Sequence, residues 1–138
     1  FRGIPSIAVS LVTKSIKDVE HFETASKFVC DIVRKGVVKE IPEMHLLNIN
    51  VPNLAPEKIA GSKLVFAGYQ DYSEEVVERV DTRGRKYFWV GGTYKGAHSI
   101  PGSDGNAINE GYIAVNLQNL EGSKVMPSSK MEQIVKKE

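Results

Sequence analysis

The sequence has a single cysteine, Cys30, among 138 residues. A lone cysteine excludes an internal disulfide and any cysteine-rich zinc site, and it suits a reducing compartment. Long apolar runs are missing as well: nothing approaches the roughly 20 consecutive apolar residues that span a bilayer. No basic-then-apolar leader opens the chain. Nor is there an excess of either charge. The 18 Lys+Arg and 17 Asp+Glu leave a net charge of +1, so no global field directs the chain to nucleic acid or to a membrane surface. The three histidines, His21, His45 and His98, share no spacing typical of metal ligands. The chain starts Phe1-Arg2-Gly3, without an initiator methionine, and enters an apolar run at once. That reads as a trimmed start.

What is present is the pattern of one globular α/β domain: 41% hydrophobic and 25% charged residues, with enough length to bury a core. Ile4 to Val12 is a β-branched run suited to a strand covered on both faces. Asp18 is placed to cap a helix whose apolar stripe is Phe22, Ala25, Val29, Ile32 and Val33. Gly36 ends it where a left-handed residue is needed. Met44 to Val51 is a second buried strand, stopped by Pro52. Strand, helix, strand is one crossover unit.

Beyond Pro52 the pattern changes. Lys63 to Ala67 is a short strand. Tyr72 to Val80 and Lys86 to Val90 form a hairpin around the turn residues Asp81-Thr82-Arg83-Gly84-Arg85. Gly91 to Gly105 is loop-rich, Asn106 to Glu110 a helical turn, and Gly111 to Leu117 a strand. From Gln118 the chain is polar, with a capping box at Ser129 and Glu132 and a small helix carrying Met131, Ile134 and Val135. The expected organisation is therefore 1–70 for the rear of an α/β core and 71–92 for an arm. Residues 93–117 form a loop, turn and returning strand, and 118–138 a tail.

Few residues carry chemistry. Cys30 reads as a small core or boundary hydrophobe, His21 as a helix-surface residue and His45 as a strand-end residue. The glycine-rich loop before Asn106 offers backbone N–H groups to an anion, yet neither G-x-x-x-x-G-K-[ST] nor G-x-G-x-x-G occurs. Ser103 or Asp104 as a plain helix cap explains the same residues, and both are also candidates to line a cleft. On the hairpin, Tyr87, Phe88 and Trp89 must put rings on both faces. With Arg83 they are candidates for a subunit contact. Single-stranded nucleic acid is the competing partner, opposed by Glu74, Glu75 and Glu78 on the facing strand. No nucleophile, base and metal set can be assembled, so no catalytic or metal-ligating residue is assigned.

Four segments stand in register: Gly3-Ile4-Pro5-Ser6-Ile7-Ala8-Val9-Ser10; Leu47-Asn48-Ile49-Asn50-Val51-Pro52; Glu78 to Trp89; and Pro101-Gly102-Ser103-Asp104 with Ala107-Ile108 and Glu110-Gly111-Tyr112. Together they resemble the SurE family of metal-dependent nucleotidases. The resemblance implies a Rossmann-like three-layer αβα fold with a protruding hairpin and an exchanged C-terminal tail. It implies a cytoplasmic phosphatase acting on nucleoside 5′- and 3′-monophosphates with Mn²⁺ or Mg²⁺, assembled as a homodimer or homotetramer. The family holds its metal with an Asn-Asp-Asp-Gly element, a serine and a Ser-Gly-x-Asn asparagine. No Asp-Asp pair and no Ser-Gly-x-Asn occurs in this chain. The resemblance thus aligns the chain with the C-terminal portion of the family, without its ligands and without the first strands of its sheet. A chain that kept the assembly surfaces and lost catalysis is the alternative.

Overall fold

A computed structural model describes residues 3–13, 15–18, 20–97, 99–119 and 127–136. The crossover unit is present: β1 (Ser6–Val12), α1 (Phe22–Arg34) and β2 (His45–Pro52), with β1 parallel to β2 from Ser6↔Leu46 to Val12↔Pro52. The strand β8 (Tyr112–Asn119) pairs with β2 antiparallel and with β3 (Gly61–Leu64) parallel, so the sheet is mixed, in the order β1-β2-β8-β3.

Register separates the two faces of this sheet. Ile7, Leu47 and Leu117 align across three strands, as do Val9, Ile49 and Val115. This apolar face is covered by Ala25, Phe28 and Ile32 of α1, by Val37 and Ile41, and by Met131 and Val135 of α3 (Ser129–Val135). The other face places Ala8 beside Asn48 and Asn116, and Ser10 beside Asn50 and Ala114. There α2 (Asp104–Asn109) packs on β8 and β2 through buried Ala107. Helices on both faces give the three layers.

Four expectations change. First, β1 is not covered on both faces: it is the edge of the sheet, with β2 alone paired to it among the described residues. Ile4, Val9 and Val12 remain exposed. Second, the stripe of α1 is rotated. Phe28 enters the core while Phe22, in the first turn, is 65% exposed, and Cys30 is exposed rather than boundary core. Gly36 does adopt the left-handed conformation, φ 88°, and its N–H bonds the Val33 carbonyl at 2.9 Å.

Third, Tyr72 to Val80 is two strands. The first, β4 (Gln70–Tyr72), pairs with β7 (Tyr94–Ala97), a strand the loop-rich reading missed. The second, β5 (Glu75–Val80), pairs with β6 (Lys86–Gly91). The break falls at Ser73, whose N–H bonds the Thr93 carbonyl while its hydroxyl accepts from the Thr93 N–H at 2.7 Å. Fourth, the tail holds more core than its polarity suggests. Met131 and Val135 are fully buried against the domain that carries them, and the Ser62 hydroxyl donates to the Val135 carbonyl. The cap is Ser128, one residue earlier than expected, accepting from the Met131 N–H at 3.1 Å. Tail residues 120–126 lie outside the described residues.

Candidate functional site

In an open α/β sheet, ligands sit beyond the carboxyl ends of the parallel strands. Here those ends are Val12 and Pro52, and the segments leaving them are tied together by one side chain. The Asn53 carboxamide oxygen accepts from the backbone N–H of Glu20 at 3.3 Å and of His21 at 3.1 Å, and its amide donates to the Asp18 carbonyl. The helix therefore begins at His21, which makes no side-chain cap of its own, and Asp18 ends a 3₁₀ turn instead. A borrowed amide does the work expected of Asp18. Thr24 adds a second tie, its hydroxyl donating to the Leu54 carbonyl at 3.1 Å.

These ties frame an open cleft of about 490 Å³. Val12, Leu54 and Ile108 give it apolar walls, and Asp18, Thr13 and Asn109 give it polar ones. Among the described residues no lysine or arginine lines it. A smaller cavity of about 170 Å³ lies between α1 and α3, bordered by Lys27, Asp31 and Lys35. It falls below the size usual for small-molecule pockets, roughly 300–1,000 Å³.

Ser103 and Asp104 lie at the start of α2, and the structure shows what each bonds to. Ser103 is fully buried and accepts from the Asn106 N–H at 3.2 Å, an ordinary N-cap. One carboxylate oxygen of Asp104 accepts from the N–H groups of Gly68 at 2.9 Å and Gly105 at 2.8 Å. The segments meet tightly: a methyl added at Gly105 would stand 2.5 Å from the Ala97 methyl. Both side chains are bonded to backbone, which suits an anchor between β3's extension and α2.

The arm carries the remaining site candidates. Across it, Val77 faces Trp89, Glu78 faces Phe88 and Arg79 faces Tyr87, so apolar groups emerge on both sides. Every residue of both strands is exposed, Val90 at 79% and Trp89 at 62%. Arg83 sits in the turn that Asp81 organises. Asp81 accepts from the N–H groups of Arg85 and Arg83, each at 2.8 Å, and from Arg85 Nε at 3.1 Å. The bond from the Arg85 amide leads the causes that hold its carboxyl below the usual range. Lys86 pairs with Glu78 across the strands at 2.7 Å, so the basic turn is partly neutralised by its own hairpin.

The donor set among the described residues does not fit a divalent metal. A hard cation needs several oxygen ligands converging on one point. No group of three or more His, Cys, Asp or Glu side chains able to hold an ion occurs among the described residues. His45 starts β2 as expected, its ring Nδ1 2.6 Å from the Glu43 carbonyl, and His98 lies outside the described residues. No helix among the described residues is long and apolar enough to cross a membrane. Sequence reasoning misses Asn53: Pro52 marks the strand's end, and the asparagine after it reads as punctuation.

Comparison with known proteins matches residues 1–74 to the family described as survival protein SurE. The 5′-nucleotidase SurE of Citrifermentans bemidjiense is 38% identical over 114 residues, which is 83% of this chain and 45% of that protein. That of Gloeobacter violaceus is 40% identical over 113 residues, 82% of this chain and 42% of that protein. The crystal structure of SurE from Aquifex aeolicus superposes with a TM-score of 0.62 at 35% identity. It covers 88% of this chain and 48% of its own. The chain thus spans a little under half the length of the relatives it matches.

Proposed function

This chain belongs to the survival protein SurE family, and from that premise we propose that it serves a cytoplasmic, metal-dependent phosphatase acting on nucleoside 5′- and 3′-monophosphates. The observation that carries the reading is the shared identity, 34–40% across relatives named 5′-nucleotidase SurE. It extends over 82–83% of this chain. The catalytic metal, Mn²⁺ or Mg²⁺, would orient the phosphate and activate water. In this reading its ligands lie outside the described residues. The chain's own contribution is the rear of the sheet, the cleft beyond β1 and β2, and the surfaces for assembly as a dimer or tetramer. In this reading Ser103 and Asp104 shape the cleft's far wall by fixing α2, while Tyr87, Phe88, Trp89 and Arg83 meet a second subunit.

Phosphate release from a nucleoside monophosphate, measured for this chain with Mn²⁺ and with a chelator, tests the division of labour. We expect no release from the chain alone. Metal-dependent release at an enzymatic rate would mean that ligands have been overlooked within it. A second reading, an interaction module without catalysis, is favoured by the bare arm. Oligomers that form normally but never hydrolyse nucleotides, even when joined to the remaining part of a relative, would decide for it.

A further inference from the structure

Resting on the reading of the arm as a subunit contact, we propose that Ser73 and Gly92 form a built-in kink that aims the arm. This aim, together with the contact residues, selects how a second copy of the chain is met. The β4–β7 and β5–β6 ribbons are one hairpin, interrupted. Tyr72 faces Tyr94 on one side of the gap, and Glu75 faces Gly91 on the other. The register across the gap is therefore continuous, with Ser73 opposite Thr93 and Glu74 opposite Gly92. No extra residue stands in the gap, so the interruption is not a bulge. Its cause lies in the hydrogen bonds.

In a hydrogen-bonded antiparallel pair, the two facing residues exchange both backbone bonds. Such pairs recur at every second position, and the bond from the Asp81 N–H to the Arg85 carbonyl at the turn places Ser73–Thr93 among them. Ser73 and Thr93 keep only one bond of the two: the Ser73 N–H donates to the Thr93 carbonyl at 3.0 Å. The other is diverted. The Thr93 N–H donates to the Ser73 hydroxyl at 2.7 Å, where a regular ladder would use the Ser73 carbonyl. The hydroxyl in turn donates to the Glu75 carboxylate at 3.0 Å, so it both accepts and donates. The displaced Ser73 carbonyl lies against Gly92. A methyl built on Gly92 would stand 2.0 Å from that oxygen and 3.1 Å from its carbon, and both are backbone atoms. A methyl on the adjacent Gly91 would meet only the Trp89 ring, at an ordinary 3.4 Å. Serine supplies the substitute acceptor and Gly92 the space, so the kink is written in two side chains.

Two single substitutions should undo it. Ser73→Ala removes the hydroxyl that takes the bond, and Gly92→Ala closes the space for the displaced carbonyl. Each should return the carbonyl of residue 73 to the Thr93 N–H and regularise the ribbon. Spin labels on the exposed native Cys30 of α1 and on Thr82→Cys in the arm's turn report the aim as a distance distribution. The labelled chain is diluted into excess unlabelled chain, so that only distances within one copy are read. Ser73→Ala and Gly92→Ala should move the distribution to the same new distance, and Gly91→Ala should leave it in place. In sedimentation of the unlabelled variants, the first two should weaken assembly about tenfold with Trp89 intact, and Gly91→Ala should match the parent. Distances unmoved by Ser73→Ala and Gly92→Ala, or moved equally by Gly91→Ala, overturn the kink. Distances that move while assembly does not overturn its part in selection. A parent that stays monomeric while the distances move as stated leaves the kink standing and overturns the subunit-contact reading alone.

Discussion

One carboxamide does the work of three in this chain. Asn53 receives two backbone N–H groups and gives one to a carbonyl, thereby joining the end of β2 to the start of α1. Replacement by alanine strands the part-buried His21 N–H, where an unmet partner costs about 1–3 kcal/mol, while water reaches the exposed Glu20 and Asp18 ends. Asn53→Ala should therefore lose about 2 kcal/mol in urea unfolding. Asn53→Asp keeps the acceptor but sets a carboxylate against the Asp18 carbonyl, so it should fall between the two. A loss below about 0.5 kcal/mol for the alanine variant would show that solvent replaces the latch. Nothing in sequence spacing announces such a role, because the two ends of the latch are more than thirty residues apart. Local rules pick caps from adjacent residues and settle on Asp18.

At the scale of elements, α3 and the arm form a contrast in burial. The helix α3 drops Met131 and Val135 into the core and fixes its rim with Glu40, which meets Lys130 at 2.8 Å and the Ser128 hydroxyl at 3.2 Å. The Lys130 bond is the main reason the Glu40 carboxyl sits below its usual range. A depressed folded value contributes stability above the ordinary carboxylate range, and the contribution disappears as pH falls through the folded value. Amides of α3 should thus lose exchange protection in acid before the central strands do. Glu40→Gln should show the lower protection at neutral pH and little further change on acidification. Equal acid sensitivity in both proteins would place the switch elsewhere.

The arm has no such anchorage. Seven large apolar residues stand exposed on it, from Val76 to Val90, and an isolated two-stranded ribbon is marginal in water. In the proposed assembly Trp89→Ala should weaken oligomers severalfold in sedimentation while leaving domain unfolding unchanged. Intact oligomers at the lowest measurable concentration would remove Trp89 from the contact. The aromatic trio is legible in the sequence because consecutive rings must emerge on both faces of a strand. The split between β4 and β5 is not, since it depends on Ser73 bonding Thr93, twenty residues away.

For the whole molecule, legibility follows contact range. The crossover unit, the apolar face and the turn at Asp81 arise from periodicity and short spacing, and these are readable from the residues. The insertion of β8 between β2 and β3 is not, because Tyr112–Asn119 has the same apolar character whichever neighbours it joins. For β1 the run itself looks interior, and only the resemblance, which leaves out the first strands of the sheet, implies the open edge that the strand forms. Its seven residues, Ser6–Val12, contain no charge, proline or glycine, so nothing on the strand itself blocks pairing with another chain. Val9 is 41% exposed, so a lysine there can reach water along its aliphatic stem. Light scattering of the chain should show self-association that rises with concentration, and Val9→Lys should suppress it at a stability cost of about 1 kcal/mol or less. Val9→Glu should act alike, since the effect requires charge and not its sign. If association persists in both variants but disappears with Trp89→Ala, then the arm alone draws copies together and the open edge of β1 is inert.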